Sequence, residues 1–393
     1  MRDTSKWTLL RSLAVASACA ALLAGCATVA VEPGKPAAPA EPAPARGWHF
    51  DAGNRPPADR DGYRPPVKLA VLLPLTGSLA AAAAPVRDGL LTGYYGESRR
   101  RPEIAFYDTA EGAVAAYAKA AAEGNDFVLG PLGRDEVSAV FRQGNLAVPM
   151  LALNRGNVAP PAGSASFSLS PEDEGTAAAE YLIARNARRA LVIAGTDDGM
   201  RRAVAAFRQR YVEREGTIVE SVDVGESPGE QTARLQAAAQ QPGGIDAVLL
   251  AVKGSQARAM APQLVASGLG GKLRVATSQL TSGTGKREED ILLDGIVFPS
   301  ETWTARGIPS LPSAASVGGQ LKTARGAAAR LFAFGHDAWL LTAYLDYLAL
   351  NAGGEVRGAT GTLRIDALGN VQRTPSWSTF SGGMAVPLAD GGR

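Results

Sequence analysis

Cysteine is almost absent from this chain. Cys19 and Cys26 are the two in 393 residues. Everything after position 26 therefore has no thiol for a disulfide framework, a nucleophile or a cysteine-based zinc site. Histidine is as scarce, with His49 and His336 alone, and Glu288-Glu289-Asp290 lacks the spaced ligands of a calcium loop. No metal and no cofactor are expected. An excess of charge is also missing: 40 Lys and Arg stand against 38 Asp and Glu, a formal net charge of +2. Such a balance gives no global field to attract nucleic acid. The dense basic cluster Arg99-Arg100-Arg101 lies between a helical pattern and a strand pattern, where cations suit the negative end of a helix dipole. The apolar run near the N-terminus, from Leu13 to Ala24, is too short to span a bilayer, which takes about 20 residues.

That short run carries information of its own. It follows Arg2, Lys6 and Arg11 and ends in Leu23-Ala24-Gly25-Cys26, the basic start, apolar stretch and small-residue cleavage site of an export signal that closes on a lipobox. Residues 1–26 read as a lipoprotein signal peptide and Cys26 as the lipidation site. Ala27-Thr28 follow in place of an aspartate that would mark retention in the inner membrane. The expected location is the periplasmic side of the outer membrane, with the membrane reached through the N-terminal lipid. Residues 27–66 are rich in Pro and Ala, among them Pro33, Pro36, Pro39, Pro42 and Pro44. A segment of that composition buries too little apolar surface to offset its own ordering and reads as a tether. Fully extended at ~3.1 Å per residue it reaches on the order of 120 Å at most.

From Val67 onward short apolar runs alternate with longer amphipathic ones. The runs Val67 to Leu73, Glu103 to Tyr107, Phe127 to Leu129 and Pro149 to Leu153 predict strands, with helices over Ala84 to Gly96, Gly112 to Glu123 and Arg134 to Arg142 between them. This is the pattern of βαβ units and a parallel sheet covered on both faces. Phe167 to Ser170 reads as a crossing strand. Ser170-Pro171-Glu172-Asp173 then starts a helix, with Ser as cap, Pro at the first position and acids in the first turn. The alternation restarts with helix Pro171 to Asn186, strand Ala190 to Ala194, helix Met200 to Arg214, strand Thr217 to Val222, helix Glu230 to Gln240, strand Ala247 to Ala251 and helix Ser255 to Ala266. Two such sheets in tandem imply two lobes. A late helix, Phe334 to Asn351, precedes runs Gly361 to Ile365 and Asn370 to Arg373 that read as a β-hairpin added to one lobe.

Candidate chemistry is sparse. Gly225-Glu226-Ser227-Pro228-Gly229 has the spacing of a nucleophile elbow, but an oxyanion hole there needs the backbone N–H after the serine, and Pro228 has none. Gly283-Thr284-Gly285-Lys286-Arg287 fails as a phosphate loop, because Leu280 stands where the first glycine belongs and Arg287 where the magnesium-binding hydroxyl belongs. The chain is not expected to be an enzyme. In open α/β sheets ligands bind beyond the carboxyl ends of the strands. The loops there offer a candidate cleft of Thr76, Ser78, Gly130, Asn154, Arg155, Asp197 and Gln279, a set that suits a small zwitterion or a muropeptide fragment. The same residue types serve as caps and turns in any such fold.

Several segments together resemble a known family. Leu72-Leu73-Pro74-Leu75-Thr76-Gly77, Pro85-Val86-Arg87-Asp88-Gly89, Val128-Leu129-Gly130-Pro131-Leu132 and Pro149 to Asn154 are similar to the first lobe of type I periplasmic binding proteins. Phe167 to Glu174, Ala276-Thr277-Ser278, Asp294-Gly295-Ile296, Leu331 to Ala338, Gly361-Thr362-Leu363 and Gly369-Asn370 resemble the LpoA (LppC) family. The resemblance implies an α/β, two-lobed type I periplasmic-binding-protein fold over 67–393, each lobe a parallel sheet flanked by helices. Lobe 1 is expected at about 67–168 plus about 300–352, and lobe 2 at about 169–299 plus about 353–393. It implies an outer-membrane lipoprotein that binds and activates a class A bifunctional penicillin-binding protein and so regulates peptidoglycan synthesis. The alternative is a lipoprotein of a transport system that binds an amino acid or peptide. One departure stands out: family members that carry a helical-repeat domain have it before the binding-protein-like domain, where this sequence has the Pro/Ala segment.

Overall fold

A computed structural model describes residues 48–50 and 52–389. The lipobox with Cys26 and the tether as far as residue 47 lie outside the described residues. Lobe 1 is built on five parallel strands in the order β2-β1-β3-β4-β5. They are β1 Lys68–Leu73, β2 Glu103–Asp108, β3 Phe127–Leu129, β4 Met150–Ala152 and β5 Ala165–Ser166, with crossover helices α1 Ala80–Gly96, α2 Ala113–Ala122 and α3 Arg134–Phe141. Side chains alternate across the sheet. Leu69, Val71 and Leu73 join Val86 and Leu90 of α1 on one face. Ala70 and Leu72 join Ala116 and Ala120 of α2 and Val137 and Val140 of α3 on the other. Both faces are covered, which is why β1 reads as a nearly continuous apolar run.

Lobe 2 repeats the plan. Helix α4 (Pro171–Ile183) leads into β6 Arg189–Gly195, α5 Asp198–Glu213, β7 Thr217–Val224, α6 Thr232–Ala239, β8 Ala247–Ala251, α7 Gly254–Ala266, β9 Leu273–Ala276, α8 Arg287–Asp290 and β10 Ile296–Ser300. These strands are parallel in the order β10-β9-β8-β6-β7. After α9 (Thr302–Arg306) and α10 (Ala314–Gln320), the long helix α11 (Ala328–Leu350) returns to lobe 1 and packs on α1. Strands β11 Val356–Arg357, β12 Thr362–Ile365 and β13 Val371–Thr374 form a small antiparallel sheet. The last strands extend the second sheet, β14 Ser376–Ser381 antiparallel to β10 and β15 Met384–Pro387 antiparallel to β14.

Four details differ from the sequence expectations. No strand covers Phe167 to Ser170: β5 ends at Ser166, one further bond runs from Phe167 N–H to the Ala152 carbonyl at 2.8 Å, and the chain then crosses to lobe 2. The Ser170 hydroxyl does cap α4, accepting from Asp173 N–H at 3.1 Å. Helices α1 and α11 start earlier than expected, because alanine, the best helix former, fills positions 80–84 and 327–329. The hairpin β12–β13 belongs with lobe 1, where Leu363 and Val371 enter the core beside Leu69 and Leu341, while β14 and β15 stay with lobe 2.

The fourth difference is the largest. Of the expected tether, residues 48–50 and 52–66 are docked on lobe 1. Phe50 meets Phe127 edge to face, ring centroids 6.0 Å apart, and the Arg55 guanidinium lies 4.6 Å from the centroid of the same ring. Burial of Arg55 pushes its pKa down to about 10, against the pull of Asp126 and Asp346. The Trp48 indole donates to the Ser164 carbonyl, the Tyr63 hydroxyl donates to the Arg100 carbonyl at 2.8 Å, and Arg64 pairs with Asp346 of α11 at 3.0 Å. Proline and alanine hide the signal in the composition. Three aromatic rings in the segment supply the apolar area that its average lacks.

Helices α1 and α11 touch at glycines. A Cβ on Gly335 would collide with the Val86 carbonyl, and one on Gly89 with the Phe332 carbonyl. Gly335→Ala is accordingly expected to destabilise the full chain by about 3 kcal/mol through overpacking. Gly319→Ala in α10, where a Cβ meets nothing within 4 Å, should be neutral or gain up to about 1 kcal/mol. Urea unfolding of the two variants checks the contrast, and equal effects would refute the close-approach argument. Phe50→Ala should cost about 3 kcal/mol in the same assay; a loss below about 0.5 kcal/mol, the size of an ordinary surface change, would show that residues 48–66 are not part of the core.

Candidate functional site: the layer between the lobes

The chain crosses between the lobes at three places, and buried charge gathers there. Glu174 of α4 is 4 % exposed. Its carboxylate accepts from Ser278 N–H at 2.9 Å and the Ser278 hydroxyl at 2.8 Å. It also pairs with Arg330, two residues into α11. Arg330 reaches Glu301, just after β10, at 3.3 Å. Arg373 of β13 approaches Glu174 at 3.9 Å and donates to the Thr360 carbonyl at 3.3 Å. Alongside, Arg155 after β4 binds Asp173 of α4 at 2.7 Å and the Val371 carbonyl at 3.1 Å. In each of these acid–arginine contacts to α4, the acid belongs to lobe 2 and the arginine to an element packed on lobe 1.

Burial alone would raise the Glu174 carboxyl, but Arg330, Arg373 and the Ser278 donors outweigh it and hold the pKa below the usual carboxylate value. Burial works against the Arg330 cation as well, yet Glu174 and Glu301 carry its pKa upward. For Arg373 burial wins, helped by repulsion from Arg330, and its pKa falls. Asp173 is raised by burial despite Arg155. The arrangement is a buried ionic cluster with its charges matched across the lobes.

Beside it lies a cavity of about 260 Å³ at the carboxyl ends of β6 and β9. Leu169, Met200 and Ala203 give it apolar wall; Asp197, Thr277, Gln279 and Arg330 give it polar groups. Asp197 and Gln279 of the sequence-derived set thus come together here. The remaining five do not line it. Thr76 donates to Asp108 at 2.6 Å, Ser78 is exposed on the β1–α1 loop, and Gly130 sits at φ +105° against the Leu72 carbonyl. Asn154 donates to the Leu132 carbonyl at 3.0 Å and accepts from Arg155 N–H at 2.9 Å, while Arg155 is spent on Asp173 and Val371. Sequence reasoning missed Glu174, Thr277, Met200 and Arg330. Glu174 and Thr277 already stood inside family-like segments, and Arg330 immediately precedes another.

Two other features carry no catalytic site. A larger groove of about 910 Å³, between α5 and β7, lies away from the strand carboxyl ends that face Arg330 and includes Arg208 and Val212. Ser227 of the Gly-x-Ser-x-Gly segment is exposed on a lobe 2 loop. His336 is buried in α11 on lobe 1 with its ring nitrogen 3.3 Å from Asp337, so this pair does not assemble a hydrolase.

Glu174 has a depressed folded-state pKa, so its contribution to stability is present above the ordinary carboxylate pKa of about 4.3 and is lost as pH falls through the folded value. Glu174→Gln leaves Arg330 and Arg373 without their shared counter-charge and should cost about 3 kcal/mol near neutral pH. The gap between variant and wild type should close on acidification below about pH 4. Urea unfolding across that range measures it; a gap independent of pH would sink the assignment.

The family model described as "LppC putative lipoprotein" matches residues 63–383. Among curated relatives, the penicillin-binding protein activator LpoA of Photobacterium profundum is 28% identical over 364 residues, which cover 82% of this chain and 57% of that protein. The chain therefore spans little more than half the length of that relative. The solved LpoA C-domain from Haemophilus influenzae, titled a regulator of PBP1A, superposes with a TM-score of 0.70 at 21% identity, covering 82% of this chain and 100% of that one. A structure titled "putative branched-chain amino acid ABC transporter", from Chromobacterium violaceum, gives 0.63 at 28% identity over 80% of this chain and 100% of that one. The fold is the two-lobed α/β fold of type I periplasmic binding proteins. With most of its length matched, the chain belongs to the LppC lipoprotein family.

Proposed function

We propose that this protein is a lipid-anchored regulator that binds a class A bifunctional penicillin-binding protein and stimulates its peptidoglycan synthesis, and that it is not itself a catalyst. The family match over residues 63–383, with a relative named for that activation, carries the reading. The site chemistry agrees with it. Polar groups in the interlobe layer are engaged in holding the lobes, and the elbow-like serine is remote in the fold from the buried histidine. A regulator acts by binding its partner's active state more tightly than its inactive one, so it needs a surface of defined shape and no reactive side chain.

The anchor belongs to the same proposal. Cys26 carries the lipid, and the outer membrane is the address. One acyl chain holds a protein only marginally, whereas two signals suffice for stable attachment, so a diacylated and further acylated Cys26 fixes the chain at one end. A transport receptor must exchange its ligand with a permease in the other membrane. Fixed anchoring therefore favours the regulator over the transport reading.

Reconstitution tests both halves. Adding the purified full chain to a class A synthase should raise the rate of glycan polymerisation several-fold, and immobilised chain should retain that synthase. Failure of the synthase both to bind and to speed up would overturn the regulator. Cys26→Ser should abolish labelling by radioactive palmitate and move the protein from the outer-membrane fraction to the soluble one, without altering stimulation in detergent solution. Persistent labelling would move the anchor elsewhere.

A further inference from the structure

We infer that the groove of about 910 Å³ between α5 and β7 is where the class A synthase docks, and that its occupant is an amphipathic helix of the synthase presenting apolar side chains and carboxylates to α5. The inference rests on the reading of the protein as a synthase-binding regulator. Three sides of α5 have different fates. Met200, Ala203, Phe207 and Tyr211 recur at helical spacing and are buried against the sheet. A second side is tied to α4 through Arg202–Glu172 at 2.8 Å and Arg210–Glu180 at 2.5 Å. The third side, Arg201, Val204, Ala205, Arg208 and Val212, keeps the same helical spacing and lines the groove, with Val212 57 % exposed.

The floor of the groove is incomplete in the same place. Strand β7 ends its sheet, and its two faces differ. Val222 and Val224 enter the core with Leu235 of α6 and Met260 of α7, whereas Ser221 and Asp223 turn to the groove. Parallel strands are ordinarily covered on both faces, so one covering element is missing over β7. A helix laid beside α5 supplies it and continues the α4–α5 layer. The lining from Arg201 to Val212 runs about 17 Å at ~1.5 Å per residue, a length that about three turns of a partner helix match.

Charge narrows the occupant. The α5 arginines on the α4 side are paired, but on the groove side Arg208 has no ion pair among the described residues, and Arg201 donates to the Thr196 carbonyl and pairs with no carboxylate. Of the acids in the lining, Glu213 already accepts from Gln209 at 3.0 Å and Arg210 at 3.4 Å, which leaves Asp223 alone against two cations. An acidic partner is favoured. A second copy of this chain is not, because a twofold contact centred on the stripe sets Arg208 close to its own counterpart. Addition of a strand to β7 is disfavoured as well: the β6–β7 ladder shifts register between Ala190 and Leu191, and Glu220 and Asp223 put charge along the edge.

The affinity of the synthase for the immobilised full chain in detergent tests it, with circular dichroism melts reporting the fold of each variant. Arg208→Glu sets like charge against the carboxylates of the partner helix, and Val212→Asp puts a charge into the apolar contact. Each should weaken binding at least about tenfold with the melt unchanged. Arg142→Glu, an equal charge change at an exposed position of lobe 1, should bind as wild type does. p-Benzoylphenylalanine placed at Val212 should photo-cross-link to the synthase; placed at the exposed Val265 of α7, which covers the opposite face of the sheet, it should not. Wild-type affinity in both folded groove variants overturns the groove and leaves the regulator standing, whereas no binding by the wild type overturns both. An equal loss with Arg142→Glu, or a photoproduct joining two copies of this chain in place of one with the synthase, also overturns the groove. The cross-link decides the case in which a substitution unfolds the chain.

Discussion

A carboxylate taken wholly out of water has to be matched at once, and Glu174 takes its counter-charges from the other lobe. Its partners arrive on separate segments: Arg330 at the head of α11, Arg373 on β13, and Ser278 after β9. Removing the group from solvent costs several kcal/mol, which the two guanidinium groups and the Ser278 donors offset only when all of them are in place. The lobes are thereby fixed at an angle that satisfies this cluster, and Arg155–Asp173 adds a second tie at the same level. Separation of the lobes would strand charge in a poorly hydrated layer. The cavity borders this cluster and shares Glu174 and Arg330 with it.

Much of the fold was legible because both sheets are parallel and covered on both faces. A strand in that setting is a short apolar run, and a crossover helix is an amphipathic one. β3 and β8 fall where their apolar runs predict, and β1, β2, β4, β6, β7, β12 and β13 lie within one or two residues of theirs, whereas β9, β10, β14 and β15 carried no expectation. The misreadings have a common physical source, since each depends on what a segment packs against. The segment from Trp48 to Arg64 looks unstructured by average composition, but single aromatic side chains decide its fate by docking on Phe127 and α11. The hairpin β12–β13 was recognisable as a hairpin, yet nothing local says which core receives Leu363 and Val371. The candidate site was legible in half-measure for the same reason. Loop position located Asp197 and Gln279, whereas Arg330 comes from a helix whose start on the far side of the crossing no local pattern reveals.

Docking of residues 48–50 and 52–66 sets where the described chain first meets lobe 1. Trp48 is pinned to Ser164 and packs against Gly369 of the β12–β13 turn. Ser164 precedes β5, so Trp48 lies at the amino ends of the lobe 1 strands, while the cavity lies at the carboxyl ends of those in lobe 2. Trp48, Phe50 and Arg64 thus all bear on lobe 1, which meets lobe 2 through the interlobe layer.

The segments that first suggested the family turn out to be joints. Gly89 and Gly335 allow α1 and α11 to approach at backbone distance, and Gly175 does the same for α4 against α5. Asp337 is fully buried and accepts from Ala359 N–H, Thr360 N–H and the Thr360 hydroxyl at 2.5, 2.7 and 2.6 Å, fixing the loop that carries the chain into β12. Asp294 accepts from Gly382 and Gly383 N–H at 2.8 and 2.9 Å and closes the β14–β15 turn. Glu174 and Ser278 join two further family-like segments to each other. These residues are spread over helix crossings, turns and lobe junctions, and each holds two elements in register. What such a set fixes is the relative placement of the elements and, through the lobe junctions, of the two lobes' surfaces.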